Sequence, residues 1–378
     1  MEYSKRFSGN DELRMRFTVW LKIVVKRVME GYEKHSFRIK KDSEYQKYLK
    51  DELDDYTKWV AVNHNEYTGD VEQIAEYING AVASYYKSDF ISATQAIQKI
   101  VDENNFLLCE TKMGGDGSDD VLFKARVAEP TENIKHEDML HIPFDCRNIV
   151  ASQRFSLSGT PCIYLSRSSY TCWLELNKPE ENKFFVSAFK LSKPKRFLDL
   201  TCLTWEGLKD EIGSKRDIKA KLCTFPLIIA TSFLIDENIG KPFHSEYIIS
   251  GLLMNVIAIS DKYDGVAYFS KKFSDKKESY PINVCFALLA KFNNKKYTRD
   301  IENIKWTNPM PLRDYSMINW NARYDEVIIG DVEEEEKEKR SLTLIGDGVA
   351  YCDTLMYGFD KWIIEKMDFT KGVNEKLK

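Results

Sequence analysis

Residues 141–175 read HIPFDCRNIVASQRFSLSGTPCIYLSRSSYTCWLE, and this stretch decides how the rest of the chain is organised. With VLFKARV just upstream (residues 121–127), it reads as two strands, a turn and the start of a helix. Set into that frame is a spaced series of Arg126, Arg154, Tyr164 and Glu175. A charged residue within an otherwise apolar element is out of place in a simple core.

Outward from this stretch, strand-like segments follow as FFVSAFKL, RFLDL, GVAYFS and VCFALLAKF, with helical pieces around 205–221, 224–235 and 246–258. Short strands interleaved with helices, without regular βαβ alternation, predict an α+β domain on a mixed sheet over residues 121–330. Upstream, Gly114-Gly115-Asp116-Gly117-Ser118-Asp119-Asp120 is a loop. Its alternating Asp116, Ser118 and Asp120 lack the following Glu of a calcium loop, so it reads as a solvated turn.

Residues 1–110 read as an antiparallel helical bundle. Phe17, Trp20, Leu21, Val24 and Val28 recur at helical spacing in Asp11–Glu33. Ser43-Glu44-Tyr45-Gln46 fits a capping box before Leu49, Leu53, Tyr56 and Val60. Two more helices follow Asp70 and Ser88 or Asp89. Beyond the charged run Glu333–Arg340, residues 341–378 read as a strand and a closing amphipathic helix lined by Phe359, Trp362, Ile363 and Met367.

Composition sets the frame for function. The 378 residues are 43% hydrophobic and 30% charged with net charge −4, a globular balance that does not mark a nucleic-acid binder. Eight cysteines without a CxxC pair favour a reducing cytoplasm over a disulfide framework. FTVWLKIVV is too short and too charged to span a bilayer, and no small-residue cleavage site follows it.

QRFSLSGTPCIYLSRSSYTCWLE resembles the RES domain, a family named for its Arg, Glu and Ser residues, and Ser270 in DGVAYFS matches the third. HIPFDCRN is similar to larger family members, and the resemblance runs over about residues 121–300. Val127 stands where some members have an aromatic, and compact toxin members lack the N-terminal helical segment.

The resemblance implies an ADP-ribosyltransferase-like fold that consumes NAD+ as substrate, with no metal and no bound cofactor. Cleaving the nicotinamide–ribose bond develops oxocarbenium-like charge on the ribose, which a carboxylate stabilises. Glu175 takes that role; its plain alternative is an exposed helix glutamate. Arg126 and Arg154, with Arg147 as a third, would grip the pyrophosphate through guanidinium forks. Tyr164 would stack on nicotinamide, or else fill a core. Ser270 would contact the ribose or the amide, or else close a turn, and Asn283 in PINVCF matches an asparagine after the serine strand.

Other motif classes fit less well. His136, Glu137, Asp138 and His141 lie close together but not as HExxH, and a polar loop explains them. The chain has no Rossmann or P-loop glycine pattern in a strand–loop–helix context and no G-x-S-x-G elbow. The expectation is therefore a cytoplasmic NAD+-degrading enzyme, working by hydrolysis or by phosphorolysis with phosphate as co-substrate, as a toxin or defence effector does. Its expected partners are an antitoxin or regulator and further copies of itself, with no membrane and no nucleic acid. Transfer of ADP-ribose to a macromolecule and an inactive NAD-binding scaffold are the alternatives.

Overall fold

The structure is a computed structural model that describes residues 42–102, 106–115, 118, 120–201, 215–233, 243–273, 281–325, 344–345 and 349–371. The expected helix Asp11–Glu33, residues 205–214, Asp116, the run Glu333–Arg340 and the tail 372–378 lie outside the described residues.

Among the described residues the helices are, in chain order, α1 (Asp42–Asn63), α2 (Thr68–Tyr86), α3 (Phe90–Asp102), α4 (Ser169–Glu175), α5 (Lys215–Thr231), α6 (Ile248–Ile259), α7 (Leu312–Asp325) and α8 (Leu355–Lys366). The fold is α+β and divides into two units, one within residues 1–109 and 206–256 and the other within residues 110–205 and 257–378. The helical unit thus takes in chain from both sides of the first strands.

In the helical unit, α1 buries Tyr45, Leu49, Leu53, Tyr56 and Val60, an i, i+3/i+4 stripe that faces the other helices. α2 contributes Val71, Ile74, Ile78 and Val82, and α3 contributes Ala93, Ile97 and Ile100. α5 runs unbroken through 222–223, where the expected pieces 205–221 and 224–235 part, and across Pro226. Proline has no N–H, so the carbonyl four residues back, that of Leu222, loses its helical partner. The Tyr56 hydroxyl donates to that carbonyl at 2.9 Å. The break is satisfied from α1, and the helix continues.

The second unit is built on one mixed sheet. Its strands are β1 (Glu110–Met113), β2 (Leu122–Val127), β3 (Cys162–Ser166), β4 (Phe184–Leu191), β5 (Lys195–Asp199), β6 (Gly265–Phe269), β7 (Val284–Leu289), β8 (Ile304–Trp306) and β9 (Met310–Pro311). β10 (Leu344–Ile345) and β11 (Val349–Ala350) form a separate pair, and β12 (Thr370–Lys371) closes one edge of the main sheet. The order is β1-β5-β6-β7-β3-β2-β4-β8-β12, with β9 on β4; among the described strands only β5 and β6 run parallel.

Side chains alternate between the two faces of this sheet. One face carries Leu122, Ile163, Leu165, Phe189, Phe286 and Trp306. The other carries Phe123, Val186 and Ala188, covered by Cys172 and Leu174 of α4, by Leu312 and Tyr315 of α7 and by Phe359 and Ile363 of α8.

Candidate active site

The floor of the site is the α4 face of β3, β7 and β6. Register pairs Tyr164 with Ala287 and Ala287 with Val266; one step along, Ser166 pairs with Cys285 and Cys285 with Tyr268. Tyr164 and Tyr268 therefore rise from the same face, flanked by small side chains. Beyond the strand ends, the Ser270 N–H donates to the Asn283 carbonyl at 2.9 Å and extends the ladder by one residue pair. Alternation puts Ser270 and Asn283, both fully buried, on the side of Tyr268 and Cys285. The Lys272 N–H donates to Ser270 Oγ at 3.2 Å.

Arg154 comes from a tight turn. Gln153 and Ser156 exchange backbone hydrogen bonds, each of 3.1 Å, so Arg154 and Phe155 form the tip. Phe155 is buried with its ring centroid 4.5 Å from that of Tyr268. Burial of that phenyl fixes the tip, and with it Arg154, next to Tyr268. Arg147 braces the same loop: its Nη1 donates to the Gly159 carbonyl at 2.9 Å, and its guanidinium lies 4.9 Å and 5.0 Å from the Phe144 and Phe292 rings. Gly159 has φ +77, a conformation that favours glycine.

Glu175 is the last residue of α4. The helix starts at Ser168, whose side chain accepts the Thr171 N–H, and Ser168 and Thr171 hydroxyls donate to the Ile282 carbonyl at 3.1 Å and 2.5 Å. At the other end Glu175 is exposed and makes no hydrogen bond or ion pair with a described residue. A carboxylate there meets the negative end of the helix dipole. Asn177 and Lys178 follow with φ 60 and 56, a left-handed pair that disfavours L-residues by about 1 kcal/mol or more each. Lys272 Nζ donates to Asn177 Oδ1 at 3.0 Å and ties this turn to the Ser270 segment. Local stability alone selects neither feature.

The groups meet electrostatically at Tyr268. Burial pushes its hydroxyl well above the ordinary tyrosine range, with Cys285, Glu175 and Tyr164 adding to the rise and Arg154 opposing it. Arg154, Tyr164 and Glu175, spread over 22 positions of sequence, thus all act electrostatically on one phenol. Tyr268 itself is not singled out by the sequence pattern. Its signal was its place two residues before Ser270 in GVAYFS, which puts both on one face of a strand.

Arg126 is not brought into this group. It lies with Leu122 and Lys124 on the opposite face of β2, where its Nη1 donates to the Asp138 carbonyl at 3.2 Å. His141 is nearby on that side, its Nδ1 2.7 Å from the Ile142 carbonyl and its Nε2 accepting the Thr298 N–H at 3.0 Å. His136 stacks on Trp306 with centroids 4.2 Å apart and bonds its carbonyl at 3.0 Å. Among the described residues no three His, Cys, Asp or Glu side chains are gathered to hold a metal ion. No described helix is long and apolar enough to cross a membrane.

No protein-family model matches the chain, and no solved structure matches it. Among curated proteins the chain is similar to "Putative toxin YopC" of Bacillus subtilis (strain 168), with 35% identity over 180 aligned residues. That alignment takes in 44% of this chain and 40% of the length of the relative.

Proposed function

We propose that this chain is an enzyme that cleaves the nicotinamide–ribose bond of NAD+, and that it acts as a toxin. The shared face of Tyr164 and Tyr268, with the Arg154–Phe155 tip packed on Tyr268 and the charges of Arg154 and Glu175 felt there, carries the reading. The similarity to a protein named as a toxin supports the biological half. In the reaction the bond from the ribose anomeric carbon to the nicotinamide nitrogen breaks, and nicotinamide leaves with the electron pair. A water or phosphate oxygen then bonds the anomeric carbon, and water releases its proton to solvent.

Glu175 is suited to the oxocarbenium charge because no described side chain neutralises it. Arg154 grips a phosphate oxygen, while Tyr164 and Tyr268 form an aromatic slot for the nicotinamide ring. Ser270 and Asn283 hydrogen-bond a ribose hydroxyl or the carboxamide. Arg147 holds the Arg154 loop, and Arg126, bonded on the other face, braces the fold. A toxin of this kind is expected to have an antitoxin or regulator as partner.

The test is incubation of the purified protein with NAD+, with and without phosphate, and identification of products by mass spectrometry. Free nicotinamide with ADP-ribose marks hydrolysis, and a phosphorylated ADP-ribose marks phosphorolysis. Nicotinamide with a mass increment on a macromolecule marks transfer instead. NAD+ that stays intact under all these conditions overturns the proposal.

A further inference from the structure

Helix α4 is held at its N-terminus more firmly than a seven-residue helix needs. Ser168 already caps it, and Ser168 and Thr171 already anchor it to Ile282. In addition the Asp360 carboxylate, from α8, accepts the Ser169 N–H at 3.3 Å and 3.1 Å with its two oxygens. The Tyr351 hydroxyl donates to Asp360 Oδ2. Asp360 is only 5% exposed. A buried carboxylate is costly to desolvate, and the helix N-terminus and a phenol both offset that cost here.

The two ends of α4 therefore differ in kind. One is clamped by the Ile282 carbonyl, ahead of β7, and by Asp360 of α8, and the other presents Glu175. A seven-residue helix is about 10 Å long, so a tilt of about 10° about the clamped end displaces Glu175 by about 2 Å. A displacement of about 1 Å at a reacting group is enough to reduce turnover about a hundredfold.

We infer that Asp360, oriented by Tyr351, is the positioning residue for Glu175: it sets the direction of α4 and so where the carboxylate stands over the tyrosine floor. This rests on the proposed cleavage of NAD+ by that carboxylate. Neither Asp360 nor Tyr351 touches the substrate in this arrangement. Arg154 and Tyr164, on a loop and on β3, keep their places when the clamp is lost.

The test uses the full chain with Asp360→Asn and, separately, Tyr351→Phe. Each is followed by NAD+ turnover, thermal melting and the fluorine NMR spectrum of fluorotryptophan-labelled protein. Trp173 lies on α4 and its line is assigned with Trp173→Phe. Asp360→Asn is expected to lower kcat about 10- to 100-fold with KM within about twofold, and Tyr351→Phe less, because binding groups are untouched. The Trp173 line is expected to move in both. An unchanged kcat in folded Asp360→Asn overturns the inference. So does a kcat that falls only in step with the folded fraction. Should Asp360→Asn fail to fold, Tyr351→Phe answers the same questions. Should the native protein leave NAD+ intact, the proposed function fails by itself; the Trp173 line then decides, and its constancy in the variants rules the clamp out.

Discussion

The two faces of the central sheet carry polar residues to opposite ends. On the Arg126 face the donors and acceptors are bonded within the protein: Arg126 to Asp138, His141 to Ile142 and Thr298, His136 to Trp306. On the α4 face, Arg154, Tyr164 and Glu175 act electrostatically on one phenol, and Glu175 has no bonded partner among the described residues. A polar side chain whose bonds are met at home holds a fold, whereas a carboxylate left bare at a helix end is available to a ligand. Four expected outcomes test that contrast.

The largest effect belongs to Glu175. Glu175→Gln is expected to reduce NAD+ turnover by about a hundredfold to a thousandfold with little change in KM, since it removes charge stabilisation formed in the transition state. Arg154→Ala is expected to act mainly on KM, by about tenfold, through loss of a charge-assisted contact. On the opposite face Arg126→Ala is expected to leave kcat/KM within about threefold and to lower the melting temperature by a few degrees, because one hydrogen bond to a carbonyl is lost. Steady-state kinetics beside thermal melts separate these outcomes. A collapse of turnover in Arg126→Ala with normal folding breaks the division between the faces.

The second effect is one of pH and belongs to His141. Burial, with Lys124 and Arg147 adding to it and the Ile142 carbonyl opposing, brings the imidazole down to about 4. Its Nε2 accepts the Thr298 N–H, so a proton there replaces an acceptor with a donor facing a donor. Between the ordinary histidine value and about 4 the unfolded chain binds this proton and the native protein does not. Stability therefore falls as pH falls through that window, by up to about 3 kcal/mol. Denaturant melts at several pH values check this, and His141→Gln is expected to flatten the slope.

A third outcome tests how closely the floor is packed. At Gly265, the first residue of β6, an added Cβ meets the Ala287 carbonyl oxygen at 2.1 Å, and Ala287 is the residue beside Tyr164. Gly265→Ala is expected to destabilise by about 1–3 kcal/mol, since backbone has to move, and to weaken NAD+ binding by shifting that row. Urea midpoints and KM read the two consequences. Loss of stability without any change in KM separates the floor from the site.

The sequence made some of this legible and concealed the rest for physical reasons. CIYLS and FFVSAFKL are strands over the expected residues, because each is an apolar run closed on both sides by turn formers. Helix α8 forms with Phe359 and Ile363 buried, as its periodicity requires. The continuity of α5 was not legible: Pro226 argues for a break, and only Tyr56, 166 positions away, removes it. The same holds at the site. Arg154, Tyr164 and Glu175 are near in sequence and the resemblance names them, but Arg126 turns away because strand residues alternate and its parity is wrong. Asp360 meets Ser169 across 191 positions, a contact that no local pattern encodes.

The smallest effect concerns Lys124, a residue that breaks the rule of the bonded face. Lys124 stands in register with Ser187 of β4, and neither side chain has a hydrogen-bond or ion-pair partner among the described residues. Burial, with Arg126 adding to it, brings the ammonium down to about 8. From there up to the ordinary lysine value the unfolded chain holds a proton that the native protein has released. Stability therefore rises with pH across that window, and at neutral pH the native state bears the burden of a poorly solvated charge. Lysine stems lie along apolar surface with the head towards water, so the burden is partly relieved and is about 1–2 kcal/mol. Lys124→Met keeps the stem and removes the charge. It is expected to stabilise the protein by that amount at neutral pH, with the gain vanishing towards pH values above the ordinary lysine range. Turnover is expected to stay unchanged, since the residue lies on the face away from Glu175. Destabilisation in Lys124→Met means that an acceptor for the ammonium exists on this face, and the contrast between the two faces is then smaller than their hydrogen bonds indicate.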